Sequence, residues 1–257
     1  MAAGMLAGQV ALVTGTGGGL GQAIALALAN AGARAAITEM PDRLPLAEQT
    51  AAQMRAAGGE ALALPLDVTD LTTIQAAVDG AAEAFGGRID VLVNNAGINV
   101  RQPAFDVTED AWDSVLAVNL KGLFFTAQRV GRRMRDQRPA GGCIINVASI
   151  MGLIGYRDRA AYCASKGGVV NLSRALAFEW AAHDIRVNAL CPTFVRTPLT
   201  APLLDDPVAG GDILRRTPLG RLATPEDVAA AALYLASPGA RMVTGQALTV
   251  DGGWLAV

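Results

Sequence analysis

Short apolar runs bounded by turn residues alternate along the chain with longer Ala-rich segments of helical period, and no compositional break interrupts the alternation. That is the pattern of repeated βαβ units and predicts an α/β fold: a doubly wound parallel sheet with helices on both faces. Strands are expected at Gln9–Thr14, Arg34–Glu39, Leu62–Asp67, Ile89–Asn94, Cys143–Ala148, Arg186–Cys191 and Gln246–Val250. Helices are expected at Leu20–Ala31, ended by Gly32, and near Leu44–Ala57, Leu71–Phe85, Trp112–Arg135, Ala161–Ala182 and Glu226–Ala236. The last has a clean start, with Thr224 as N-cap, Pro225 at the first position and Asp227 near the place of a capping carboxylate.

One stretch breaks the rhythm. From Pro192 to Arg221 there are four further prolines (Pro198, Pro202, Pro207, Pro218), paired acids and a Gly-Gly. A loop this long inside a compact domain is usually functional, so residues 192–221 are expected to form a mobile lid on a single domain spanning 1–257.

Composition narrows the partners. With 257 residues, 52% of them hydrophobic, the chain is long enough to bury a sizeable core. A formal net charge of −2 removes the electrostatic footprint of a nucleic-acid binder. No apolar run reaches the ~18 to 20 residues of a membrane span, and the start has neither a basic stretch nor a signal-peptide core. Cys143, Cys163 and Cys191 are too few for a disulfide framework and lack zinc-site spacing, so no metal is expected and a reduced, cytoplasmic setting fits best.

After the first strand comes Thr14-Gly15-Thr16-Gly17-Gly18-Gly19-Leu20-Gly21, directly before a helix. Backbone without Cβ can approach a pyrophosphate closely, and the helix N-terminus supplies free N–H groups. The common G-x-G-x-x-G fingerprint fits in no register, because Leu20, Gln22 and Ile24 fall where the last glycine belongs. The spacing is G-x-x-x-G-x-G instead, on Gly15, Gly19 and Gly21. The second strand ends in Glu39, where an acid accepts hydrogen bonds from an adenosine ribose and repels a 2′-phosphate, predicting NAD over NADP. Asp67-Val68 and Asn94-Asn95-Ala96-Gly97 end further strands and should face the same crevice.

Tyr162 and Lys166 are four apart on a predicted helix and so share a face. The only lysines are Lys121 and Lys166, in a chain that otherwise uses Arg, which favours a chemical role for an exchangeable proton at Lys166. Holding a tyrosine as phenolate near neutrality needs a shift of roughly 3 units, and an adjacent ammonium is one source of it. Ser149 follows a strand end, and Asn119 lies inside a long helix, an unfavourable place for Asn unless its side chain has a partner.

Together with Arg186-Val187-Asn188-Ala189 leading to Pro192, these motifs resemble, in order and over essentially the whole chain, the short-chain dehydrogenase/reductase family. The resemblance implies a Rossmann-like fold and a catalytic set of Asn119, Ser149, Tyr162 and Lys166. Tyr162 would be the general acid/base and Ser149 would polarise the carbonyl. Lys166 would bind the nicotinamide ribose and lower the tyrosine pKa, and Asn119 would hold a water relaying protons to it. Gly15, Gly19, Leu20, Gly21, Glu39, Asp67, Val68, Asn95, Ala96, Gly97, Pro192, Val195 and Thr197 would hold the cofactor with Tyr162 and Lys166. It also implies a homotetramer, with the helices near Trp112–Arg135 and Ala161–Ala182 at one interface and the C-terminal segment at another. One departure is visible: Thr193 stands where the family pattern has glycine, which puts lid geometry in question.

The substrate pocket is expected around Ser149, Met151, Tyr156, the Arg157-Asp158-Arg159 turn, Phe194 and the lid near Leu199–Leu204, with Trp254 reaching in from the tail. Its polar groups suggest a polyol, sugar or sugar acid interconverted with its ketone. One alternative is a 3-oxoacyl-thioester reductase, opposed by Glu39, and another is a non-catalytic dinucleotide sensor or scaffold, opposed by the complete catalytic set. His183 reads as a surface group at a helix end, Cys163 as a packed thiol, and Arg129, Arg132, Arg133 and Arg135 as a solvated face.

Overall fold

The computed structural model describes residues 4–197 and 200–256. Strands β1 (Val10–Thr14), β2 (Arg34–Glu39), β3 (Ala61–Pro65), β4 (Val91–Asn94), β5 (Gly142–Val147), β6 (Ile185–Pro192) and β7 (Ala247–Val250) form one sheet of order β3-β2-β1-β4-β5-β6-β7. Every neighbouring pair is parallel. A parallel strand covered on both faces is apolar throughout, and every residue of β1 (VALVT) is buried.

Helices α1 (Gly19–Asn30), α2 (Leu44–Ala56) and α9 (Pro225–Ala236) cover one face, where Ile24, Leu28, Met54, Val228 and Leu233 pack on Val13, Ile37 and Ile145. The other face is covered by α3 (Leu71–Ala84), α5 (Leu123–Asp136) and α6 (Ala160–Trp180), through Ile74, Val78, Val130, Met134 and Leu176. The chain crosses back between β3 and β4, so the order reverses at the β1/β4 boundary. At such a reversal the connections leave in opposite directions and a crevice opens beyond the carboxyl ends of the strands.

Three expectations change. The helix expected from Trp112 to Arg135 starts earlier, as α4 (Glu109–Leu116) capped by Thr108, and is interrupted by a π turn over Ala117–Gly122 before α5. Two long-range contacts set that turn: Gly122 passes so close to the Val68 carbonyl that a Cβ would collide with it, and Asn119 bonds to the backbone of Ile98. The stretch 192–221 is not a structureless loop. It contains α7 (Ala201–Leu204) and α8 (Pro207–Arg215), with Leu204, Ile213 and Thr217 buried, and Asp206 caps α8 by accepting from the amides of Val208 and Ala209 (3.0 and 2.7 Å). Strand edges also move: β3 ends at Pro65, after which Asp67 folds the chain back by accepting from the Thr69 amide and hydroxyl, and Ile89 donates to Gln137 rather than to the ladder. The capping box at Thr224 and Asp227 forms as the sequence predicts.

Candidate active site

The β1–α1 loop and the end of β4 are stitched together. Thr14 Oγ1 accepts the amides of Asn95 and Ala96, both at 3.0 Å, while Asn95 Nδ2 donates to the carbonyls of Thr14 and Gly15 at 3.0 and 2.9 Å. Gly15 has φ +70° and sits against Ala96, and a Cβ on Gly21 would run into the Gly15 carbonyl. These glycines let α1 start directly against the loop. No side chain caps α1, so its first amides point free into the crevice. Gly19 and Leu20 form its first turn, and Thr197 lies across from it, its Cγ2 3.4 Å from where a Gly19 Cβ would stand.

Glu39, at the end of β2, is buried at the mouth of this loop and accepts the Gly17 amide at 2.7 Å and the Met40 amide at 3.1 Å. Asp67 follows β3 in a turn of its own making, and Val68 is buried beside it. Ala96 and Gly97 follow β4, with Gly97 facing Asn119 and Lys166: a Cβ there would stand 3.1 Å from Asn119 Oδ1 and 3.6 Å from Lys166 Nζ. Asn119 is fully buried on the π turn, accepting the Ile98 amide at 2.8 Å and donating to the Ile98 carbonyl and Ser165 Oγ at 2.9 and 3.1 Å.

Ser149 leaves β5 in an extended conformation and accepts the Met151 amide at 3.1 Å. Tyr162 and Lys166 lie on the first turns of α6, facing Ser149, with Lys166 Nζ 5.7 Å from the centre of the Tyr162 ring. Burial pushes the Tyr162 phenol above its ordinary value, and a hydrogen bond from Ser149 and the Arg159 charge pull it part of the way back. Lys166 donates to the Val147 carbonyl at 2.7 Å, and burial brings its ammonium down to about 8. Ser149, Tyr162, Lys166 and Asn119 thus meet at one end of the crevice, and the glycine loop and Glu39 at the other.

Comparison with known proteins gives the family. The family model described as enoyl-(acyl carrier protein) reductase matches residues 15–255. The chain is 44% identical to a D-threitol dehydrogenase of Mycolicibacterium smegmatis (97% of this chain, 94% of that protein). It is 42% identical to a 2-dehydro-3-deoxy-D-gluconate 5-dehydrogenase of Bacillus subtilis (97% and 96%). A gluconate 5-dehydrogenase of Burkholderia cenocepacia, solved in complex with NADP and tartrate, superposes with a TM-score of 0.92 at 37% identity (98% and 97% covered). The protein belongs to the short-chain dehydrogenase/reductase family.

As a member of this family the dehydrogenase is an oxidoreductase that works with a nicotinamide dinucleotide, and its loop fits one. Between Gly15 and the start of α1 four of the five loop residues are glycines, a Cβ at Gly15 or Gly17 would meet Ala96 or Glu39, and the Glu39 carboxylate stands beside the loop. On the substrate side, Tyr156 meets Phe194 edge-on (5.4 Å), and Phe194 meets Trp254 (5.5 Å). Met151, Leu204 and Ile213 join that cluster, so the stretch 192–221, the tail and the loop after Ser149 share one apolar wall. Of the lid contacts expected there, Leu199 lies outside the described residues. Pro192 ends β6, and Val195 bridges to Ala223. Thr193 is not among the positive-φ residues and donates its amide to the Val250 carbonyl at 3.1 Å, so a non-glycine residue there is unstrained.

Sequence reasoning passed over three residues that build the dehydrogenase's site. Thr14 was quoted only as part of a motif, although a hydroxyl at a strand end beside an Asn-Asn pair is a signal for such stitching. Ser165, the partner of Asn119, gave no signal. Arg159 was placed at the pocket without a role, and its burial was not foreseeable because Arg is ordinarily exposed.

Proposed function

We propose that the enzyme interconverts a secondary alcohol and a ketone on a polyhydroxylated substrate, a polyol, sugar or sugar acid, with NAD(H) as cofactor and Tyr162 as general acid/base. The observation that carries this reading is the buried Tyr162 phenol under the influence of Ser149, with the Lys166 ammonium 5.7 Å from the centre of the same ring. Similarity to a D-threitol dehydrogenase and a 2-dehydro-3-deoxy-D-gluconate 5-dehydrogenase supports the substrate class.

When bound, the dinucleotide supplies the hydride acceptor or donor. Gly15, Gly19, Leu20 and Gly21 take its pyrophosphate, Glu39 the adenosine ribose, and Asp67, Val68, Asn95, Ala96 and Gly97 its adenine half. Pro192, Val195 and Thr197 line its nicotinamide end. In oxidation, Ser149 holds the substrate hydroxyl and the Tyr162 phenolate takes its proton. In reduction, the same phenol returns a proton to the carbonyl oxygen. Lys166 contributes a positive charge that favours the phenolate and a donor for the nicotinamide ribose. Asn119 keeps the π turn against Ile98 and so fixes Lys166's surroundings. Met151, Tyr156 and Phe194 shape the pocket, and residues 192–221 act as its lid on a single domain.

Glu39 supports NAD over NADP, because its buried carboxylate beside the β1–α1 loop would repel a 2′-phosphate brought to the end of β2. An apolar trough of Leu116, Leu120, Phe124 and Leu172 on α4, the π turn, α5 and α6 supports self-association, which we assign to a homotetramer. Three free thiols support a reducing compartment, the cytoplasm; among the described residues no helix is long and apolar enough to cross a membrane.

The test is the initial rate of reduced-nicotinamide formation with NAD, then NADP, over polyols, sugar acids, 3-hydroxyacyl thioesters and simple secondary alcohols, with Tyr162→Phe as blank. NAD-linked turnover of polyhydroxylated substrates that vanishes in the variant is the expected result. Turnover confined to thioesters or apolar alcohols overturns it.

A further inference from the structure

The turn between Ser149 and Tyr162 holds a buried cation with nothing opposite it. Arg159 is 3% exposed, yet it takes part in none of the ion pairs among the described residues. Its Nε is buried without a hydrogen-bond partner, and its only bond is a long one of 3.4 Å to the Arg157 carbonyl. Buried guanidinium groups are ordinarily paired, because removing the charge from water is expensive unless an anion replaces the water.

The surroundings deepen the imbalance. A parallel bridge joins Gln102 to Arg159 and brings Arg101 alongside, so a second positive charge faces the first. Burial and Arg101 both pull the Arg159 guanidinium below its ordinary range, the direction expected where a counter-ion is missing. The cavity in front, about 690 Å³, is lined by five arginines and three aspartates. Two of those aspartates are not available to Arg159: Asp206 caps α8, and Asp212 pairs with Arg215 and Arg216 of the same lining at 3.0 and 3.3 Å.

The guanidinium is also held in place. It stacks 5.0 Å above the Tyr156 ring, which rests on Phe194, and the turn beneath is pinned by the Gln102 amide donating to the Asp158 carbonyl at 3.1 Å. A fixed planar fork with free N–H edges matches a carboxylate in bidentate fashion. Arg159 precedes the first turn of α6, three residues before Tyr162, and its charge is felt at the Tyr162 phenol.

We infer that Arg159 is a specificity-determining residue that binds the carboxylate of the substrate, so that the preferred substrates are polyhydroxy carboxylic acids rather than neutral polyols. This rests on the polyhydroxylated-substrate reading above. The carboxylate docks on Arg159 within the positive field of Arg101, and the carbinol of the same molecule then lies a few carbons away at Ser149 and Tyr162. Tyr156 serves as a positioning residue that keeps the fork in plane.

The test compares D-gluconate with D-glucitol, which replaces its carboxylate by a hydroxymethyl group. Calorimetric affinity for the NADH-bound enzyme and steady-state kinetics are measured for wild type, Arg159→Met and Arg159→Lys. Met keeps the stem and loses the charge, and NADH fluorescence verifies that each variant folds. Gluconate should bind wild type more tightly than glucitol. Arg159→Met should reduce that advantage about 10- to 100-fold, with any kinetic loss on acids falling on KM rather than kcat, and Arg159→Lys should restore part of it. Equal binding of the two probes, or an equal loss of both in Arg159→Met, overturns the inference. If polyols turn over while the gluconate-to-glucitol ratio ignores Arg159, this inference falls alone. If nothing turns over but gluconate binding still depends on Arg159, the inference stands and the proposed reaction falls.

Discussion

Lys166 Nζ donates to the carbonyl of Val147 at 2.7 Å, and Val147 lies two residues before Ser149 on the same strand end. One backbone carbonyl therefore sets the ammonium in register with the Ser149 hydroxyl. The bond does not fully compensate burial, which brings the ammonium down to about 8 against an unfolded value of roughly 10.4. Between those values the unfolded chain binds more protons than the native one, so stability from this group rises with pH. Lys166→Met removes the buried charge and should stabilise the protein at pH 7 by about 1–2 kcal/mol, after allowance for the carbonyl left without its donor. That gain should be complete below pH about 8 and disappear by about 10, while turnover falls about 100-fold or more. Urea unfolding and initial rates on the same preparations measure both; a variant less stable than wild type at every pH contradicts the account.

Tyr162 makes the two reaction directions respond oppositely to pH. Burial holds the phenol above its ordinary value in the ligand-free enzyme, so at neutral pH it carries its proton and is ready to give it to a ketone. Alcohol oxidation needs the phenolate and should accelerate as pH rises, whereas ketone reduction uses the protonated phenol and should hold its rate through neutral pH, falling only in the alkaline range where the phenol ionises. Tyr162→Phe should reduce both directions about 10²- to 10⁴-fold and flatten both profiles. Parallel pH profiles in the two directions would argue against Tyr162 as the group that moves the proton.

Glu39 is expected to set cofactor choice. Its carboxylate already accepts the Gly17 amide at 2.7 Å, so it is oriented at the loop before any nucleotide arrives. Replacing it by Ala removes an acceptor from the ribose hydroxyls and the repulsion against a 2′-phosphate. The ratio of kcat/KM for NAD over NADP should fall about 10- to 100-fold. An unchanged ratio would remove Glu39 from the specificity account.

How much of this was legible from the chain depended on the range of the contacts that decide it. Arg34–Glu39 forms a strand with the limits expected, because an apolar run between Gly32 and Pro41 leaves local chemistry little freedom. Thr224, Pro225 and Asp227 are equally local and form the expected cap. The π turn at Ala117–Gly122 was not legible, since the Val68 carbonyl and the Ile98 backbone that produce it are distant in sequence. Between Pro192 and Arg221, Asp206-Pro207 is an N-cap followed by a first-turn proline, but Gly210-Gly211 masks the helix that follows. That Tyr162 and Lys166 share a face of one helix was legible through their spacing. The buried state of Arg159 was not, because charge alone places an arginine at the surface.

Gly21 should tolerate no side chain. A Cβ would meet the Gly15 carbonyl, backbone that is itself tied to Asn95 at 2.9 Å and cannot retreat without opening the β1–β4 stitch. Gly21→Ala should therefore destabilise the fold by about 1–3 kcal/mol and weaken dinucleotide binding. Gly58→Ala, at a glycine with open space around it but φ +86°, provides the comparison: strain without collision, and no effect on the cofactor. Thermal melts with and without NADH separate the two, since only Gly21→Ala should diminish the shift produced by the cofactor.

Asp227 gives a pH dependence of opposite origin to that of Lys166. It accepts from Arg221 at 2.6 and 3.1 Å and from the Thr224 amide at 2.9 Å, and these bonds bring its carboxyl down to about 2. An acid whose native value lies below its unfolded value of about 3.9 contributes stability that is present above pH about 4 and is lost as pH falls through about 2. The group is close to solvent, so screening keeps the contribution near about 1 kcal/mol rather than the full electrostatic value. Asp227→Asn should lower the melting temperature by about 2–4 °C at pH 7. The difference should shrink in high salt, as the Arg221 interaction is screened, and should vanish near pH 2, where wild type has itself taken up the proton. A difference that persists unchanged at that pH would mean that Asn disrupts the start of α9 by its shape, and that the charge of Asp227 contributes nothing.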